Sequence, residues 1–166
     1  VTAQTPNPAG GEILKDAAGQ PIGIFRETAS GLIHRAHGEA RKRMTPGEVE
    51  AEKRRMIALA SEEALSKGIT SFHDAGVSFA DVALFRKMVD EGQLPLRLWV
   101  MVREGVRALA ANLASARVVD HGDHRLTMRA IKVSIDGALG ARGAWLLEPY
   151  SDLPTSTGLN TVPVEQ

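Results

Sequence analysis

Helix, glycine turn, strand: this order is written most plainly between Thr45 and Gly76 and limits what the chain can become. Thr45-Pro46-Gly47-Glu48 opens a helix. Thr45 can cap it, proline suits the first helical position, and Glu48 completes a capping box. Val49, Met56, Ile57, Ala60 and Ala64 form an apolar stripe, with Glu52, Lys53, Arg54, Glu62 and Glu63 mostly off it. Lys67-Gly68 ends the helix, and Ile69 to Asp74 follows at once as a strand, closed by Ala75-Gly76. A strand joined to a helix by so short a turn is the αβ half of a parallel unit.

The pattern then repeats. Ser78-x-x-Asp81 opens a second helix with Val82, Phe85, Met88 and Val89 inward, stopped at Glu91-Gly92. Pro95 to Val102 is mostly apolar, as a strand covered on both faces should be. A third helix runs from about Glu104 to Arg117, with Val106, Leu109 and Leu113 facing in. Upstream, Glu12–Lys15 and Pro21–Phe25 flank a turn with Gly19 and read as a β-hairpin. Residues 27–38 suit a short helix or an ordered loop. Residues 1–11 read as a flexible leading segment, 12–160 as one domain and 161–166 as a tail. Three parallel strands with right-handed crossovers follow from this order.

Composition narrows the function. Lys plus Arg and Asp plus Glu number 20 each, so there is no electrostatic case for nucleic acid or an anionic membrane. Aromatic residues make up 4%, too few for base-stacking platforms. Cysteine is absent, which removes disulfides and thiolate metal sites and suits a reducing, cytoplasmic setting. No run reaches the length of a membrane span.

The candidate chemistry lies in Arg129 to Arg142. Ile131, Val133 and Ile135 fall on one face at period 2; Ala130, Lys132, Ser134 and Asp136 fall on the other. In a parallel α/β barrel the large aliphatics face the helices and the inner face near the carboxyl end carries the chemistry. A solvated edge lysine fits this one pattern equally well. The glycines of residues 137–143 lack the Gly-Lys-Ser/Thr ending of a phosphate loop and the spacing of a dinucleotide fingerprint.

Four stretches taken together carry a resemblance. They are Gly68-Ile-Thr-Ser-Phe-His-Asp-Ala-Gly76, Gly92-Gln-Leu-Pro-Leu-Arg97, Lys132-Val-Ser-Ile-Asp-Gly-Ala-Leu-Gly-Ala-Arg142 and Glu148-Pro-Tyr-Ser-Asp152. With the hairpin, they resemble the amidohydrolase superfamily, in the amidohydrolase 3 branch that contains N-substituted formamide deformylase-like metal-dependent hydrolases. The resemblance spans roughly residues 11 to 160. It implies a (β/α)8 barrel, of which this α/β chain would hold about strands 2 to 4 after a β-hairpin. It implies hydrolysis of a non-peptide C–N bond by metal-activated water, with one or two divalent ions, Zn by expectation, and a small amide-type substrate. The family's His-x-His strand has no counterpart here, so the chain resembles an internal piece, inactive by itself.

On that resemblance Lys132 matches the family's metal-bridging lysine, which reacts with carbon dioxide to give an anionic carbamate. A free ammonium would repel two divalent cations, whereas a carbamate offers them two oxygens. His73 and Asp74 end a strand; they could support a site or contact substrate, and a hydrogen bond pinning the turn is the more ordinary role. Asp136 could orient a ligand or cap the Asp-Gly turn. Arg142 could bind a substrate carboxylate or pair with Asp136. His34 and His37, three apart, read as solvated. His121 and His124 precede their strand, at the wrong end of a barrel, and lack a third ligand. Trp145 to Leu147 suits core packing or an interface. Two rivals remain open: a Schiff-base lysine on a barrel strand, and a non-catalytic partial barrel acting as a scaffold or assembling with another chain, a homo-oligomer included.

Overall fold

A computed structural model describes residues 1–162; of the expected tail, residues 163–166 lie outside the described residues. The described residues form two compact units, one of residues 1–45 with 134–162 and one of residues 46–133.

The second unit carries the repeated pattern. Helix α2 (Pro46–Ser66), strand β3 (Ser71–Val77), helix α3 (Phe79–Asp90), strand β4 (Arg97–Val102), helix α4 (Val106–Ala116), strand β5 (Val118–Asp120) and strand β6 (Leu126–Ile131) follow in order. The sheet runs β3-β4-β6-β5. β3, β4 and β6 are parallel neighbours, as the helix–turn–strand order requires. The short β5 was not foreseen. It pairs antiparallel at the edge through Val118 and Met128, on too few residues to leave a periodic signal.

The core is built where expected on α3 and the strands. Val82, Phe85 and Met88 pack with Leu98, Val100, Val102, Leu126 and Met128, all buried. Ser78 caps α3 with the full capping box, accepting from the Asp81 amide at 3.1 Å while its own amide donates to Asp81 at 3.0 Å. Gly92, at φ 70°, turns the chain out of α3 in the left-handed conformation glycine tolerates best.

The docked face of α2 differs from the expected stripe. Ser61 and Ala64 are buried and Ile57 packs on the core, but Met56 is 60% exposed. Lys53 and Arg54 face the neighbouring helix instead. Lys53 pairs with Asp81, and Arg54 reaches Glu91 at 2.7 Å. Ion pairing to α3 thus sets the rotation of α2, which a stripe of apolar letters does not encode. Val106, expected inward on α4, is 84% exposed, while Leu109 packs on the core.

Asp81 gives this contact a pH dependence. Burial pushes its carboxyl up, but hydrogen bonds from Lys53 and Ser78 outweigh that and hold it below the usual carboxylate range. A carboxyl depressed on folding adds stability above its unfolded value, near 3.9, and loses it as pH falls through the lower folded value. Acid unfolding of Asp81→Asn, followed by circular dichroism, should therefore be less steep below about pH 4 than that of the parent chain. Superimposable slopes would contradict this.

In the first unit, β1 (Gly11–Lys15) and β2 (Pro21–Glu27) form the expected antiparallel hairpin. The Asp16 carboxylate closes its turn, accepting from the Ala18 and Gln20 amides at 2.9 and 2.8 Å. Helix α1 (Ser30–Arg41) follows, longer than the short helix expected. Residues 134–162 wind as turns, with one 3-10 turn at Leu139–Ala141. Tyr150 is buried there and its hydroxyl donates to the Ala144 carbonyl at 2.8 Å. Core packing of the neighbouring apolar letters does not occur: Trp145 is half-exposed and Leu147 fully exposed, because their chain segment is loop rather than strand or helix.

Candidate functional site

Strand β6 leads into Lys132 and changes its alternation on the way. Leu126 and Met128 are fully buried on the core face beside Leu98 and Val100. Strict alternation would put Ala130 and Lys132 on that same core face. The ladder prevents it. Val100 pairs with Met128 but Met101 pairs with Ala130, so Arg129 is an extra residue in β6. This bulge shifts the alternation by one. Ile131 then sits beside Val102 on the core face, and Ala130 sits beside Met101 on the opposite one.

Lys132 follows one residue past the strand. Its amide donates to the Val102 carbonyl at 2.9 Å, so the backbone is still held to β4. It is half-buried, at the carboxyl end of the third parallel strand. The expected split of faces therefore holds through Ile131. It does not extend to cover on the aliphatic side: Ile131 is already 41% exposed, and Val133 and Ile135 are 77% and 79% exposed, since the ladder has ended and no α-helix follows among the described residues.

His73 and Asp74 take opposite faces. His73 lies abreast of Trp99 and Thr127, away from the helices, exposed, with its ring centroid 5.5 Å from that of Trp99. Asp74 lies abreast of Val100 on the helix side, at a small cleft of about 140 Å³ with Ser61 and Phe85. Its carboxylate accepts from the Gly76 amide at 3.1 Å, within a strand that runs on to Val77 rather than ending at Asp74. His121 and His124 engage separate carboxylates, Asp90 at 2.7 Å and Asp120 at 3.3 Å, before β6 begins. His34 and His37 are exposed on α1.

The loop of residues 136–145 has its own construction, all within the first unit. Asp136 accepts from the Trp145 amide at 2.9 Å, bridging the two ends of the loop rather than capping its own Asp-Gly turn. Arg142, in the left-handed region at φ 57°, pairs with Asp152 at 2.7 Å and not with Asp136. The carboxylate raises the arginine, and the guanidinium holds Asp152 below the usual carboxylate range.

Glu27 was not anticipated from the sequence. It ends the hairpin at φ 47°, and its carboxylate accepts from the Ala138 amide at 3.0 Å. Gly137 and Gly143 wall this carboxylate. A Cβ on Gly137 would lie 2.5 Å from Glu27 Cδ and 2.5 Å from the Gly143 carbonyl oxygen. A Cβ on Gly143 would lie 2.8 Å from Glu27 Cδ and closer still to Oε1. The glycine spacing resembling an anion loop is thus a cradle for the chain's own carboxylate. That spacing was the one available signal, and nothing in it names the partner.

These residues do not make a metal centre by themselves. Among the described residues there is no group of three or more His, Cys, Asp or Glu placed to hold an ion. Lys132 offers a single donor, and a stable site takes three or four. No helix of the described residues is long and apolar enough to cross a membrane.

A family model described as "Amidohydrolase family" matches residues 1–166. A protein of Bacillus subtilis (strain 168), an amidohydrolase by name and called YtcJ, is 31% identical over 166 residues, covering 96% of this chain and 28% of that protein. The N-substituted formamide deformylase of Arthrobacter pascens is 32% identical over 99 residues, covering 59% of this chain and 17% of that enzyme. The crystal structure of an uncharacterized metal-dependent hydrolase from Pyrococcus furiosus aligns with a TM-score of 0.54 and 27% identity, over 77% of this chain and 27% of that one. The chain spans less than a third of the length of each of these relatives.

Proposed function

Because the chain belongs to the amidohydrolase family, we propose that it forms the strand 2 to 4 sector of a (β/α)8 barrel in a metal-dependent hydrolase of amide- or formamide-type C–N bonds. The observation that carries this reading is the position of Lys132. It lies one residue past the carboxyl end of the third parallel strand, its amide still bonded to the Val102 carbonyl at 2.9 Å. That end of the strands is where barrel enzymes gather their chemistry.

In this reading Lys132 serves as a carbamate: its neutral amine attacks carbon dioxide, a C–N bond forms, and one proton leaves to solvent. The anionic oxygens then contribute to a divalent centre, Zn by preference, whose other ligands come from outside these residues. His73 lies on the face away from the helices and contacts substrate or supports that centre. Asp136 and Arg142 shape the loop that follows. The substrate is a small amide-type molecule, and the absence of cysteine suits a cytoplasmic enzyme.

The test is hydrolysis. The continuous reading frame that contains these residues is expressed and assayed against N-substituted formamides and cyclic amides, before and after chelation. Turnover that disappears with chelator and returns with Zn²⁺ is expected. Turnover indifferent to chelator would contradict the metal. The 166-residue chain alone should be inactive; turnover from it above a Lys132→Ala control would show that the missing ligands are not needed.

A further inference from the structure

We propose that the polar cleft between the β-hairpin and the loop of residues 142–156 binds a small zwitterion, an α-amino acid with an apolar side chain. The cleft has a volume of about 600 Å³, within the range of small-molecule sites. Arg26, Arg142, Glu12 and Asp152 line it, with Leu14 and Leu153 between. All of these residues belong to the first unit, and the site is independent of the hydrolase reading.

Charge selects the ligand. Two guanidinium groups and two carboxylates sum to zero, so neither a simple anion nor a simple cation gains from the net field. A ligand carrying both charges a few bonds apart meets a partner for each. Its carboxylate faces the arginines, its ammonium faces Glu12 and Asp152, and its side chain lies on the leucines.

The arginines have donors to spare. Arg26 donates from one nitrogen to Glu12 at 2.7 Å, and Arg142 from one nitrogen to Asp152 at 2.7 Å. Among the described residues these are single bonds rather than two-pronged forks, and a guanidinium carries five N–H donors. Neither pair is sealed off: the Glu12 side chain is 43% exposed and that of Asp152 61%. An incoming carboxylate can therefore add to or replace these contacts without stripping a buried charge of its partner.

The experiment is calorimetric titration of the protein that carries this chain with L-leucine, N-acetyl-L-leucine and L-leucinamide. The acetyl compound lacks the ammonium and the amide lacks the carboxylate. Leucine should bind, with each analogue weaker by roughly tenfold or more, the scale of one lost charge-assisted hydrogen bond. Arg142→Gln should weaken leucine by a similar factor. No heat from leucine would overturn the proposal. So would either analogue binding as well as leucine, since the cleft would then not read both charges. These analogue comparisons use the unaltered chain, so the result stands even if Arg142→Gln fails to fold.

Discussion

Lys132→Ala, made in the protein that carries this chain, should abolish hydrolysis while leaving the fold intact. The side chain is half-buried and follows the strand rather than filling its core. Changes at such positions usually alter stability by no more than about 0.5 kcal/mol. The catalytic loss should be far larger. A metal centre supplies several kcal/mol of transition-state stabilisation, so turnover should drop by roughly 10³-fold or more. Bound metal, measured by elemental analysis, should fall with it. Lys132→Arg should fail equally, because guanidinium stays charged and cannot be carboxylated. Added propionate should restore part of the activity of the alanine variant, a free carboxylate entering where the carbamate was. A Lys132→Ala enzyme with full metal and full turnover would leave the lysine as a solvated strand end.

Gly137→Ala should destabilise the first unit by about 1–3 kcal/mol, the usual cost of forcing extra volume into a packed site. Its Cβ meets the Gly143 carbonyl oxygen as well as the Glu27 carboxylate, each at 2.5 Å, and a backbone carbonyl cannot swing away. Gly143→Ala should behave differently. The three atoms nearest its Cβ all belong to the Glu27 side chain, which can move once its bond to the Ala138 amide is given up. In a Glu27→Ala background the Gly143→Ala cost should largely vanish while that of Gly137→Ala should persist in part. Urea denaturation of the single and double variants measures this coupling. Gly140→Ala, with open space around the new Cβ, is the control and should be close to neutral. Equal stabilities for the Gly137 and Gly140 variants would remove the cradle.

The parts of this fold legible in the sequence were those specified locally. The Ser78 cap, the Asp16 turn of the hairpin and the parallel order of strands rest on residues a few positions apart. What escaped depends on distant partners. Met56 and Lys53 exchange their expected places because Asp81, Glu91 and α3 decide how α2 is turned. The partner of Arg142 proved to be Asp152, which the sequence had placed in a motif without a role. Glu27 and Ala138 are 111 residues apart, and no local signal could join them. The case of β6 is subtler. Reading Ile131 and Ala130 on opposite faces matches the ladder, with Ile131 beside Val102, but only because the bulge at Arg129 cancels the parity set by Leu126 and Met128. That bulge has no glycine to mark it.

Carbon-13 NMR of the metal-loaded protein equilibrated with labelled bicarbonate tests the carbamate on Lys132 directly. A carbamate carbon resonance that is present in the parent protein and missing from Lys132→Ala is the predicted result. Absence of any such resonance in active enzyme, or its persistence in the alanine variant, would contradict the assignment of Lys132 as the carboxylated ligand.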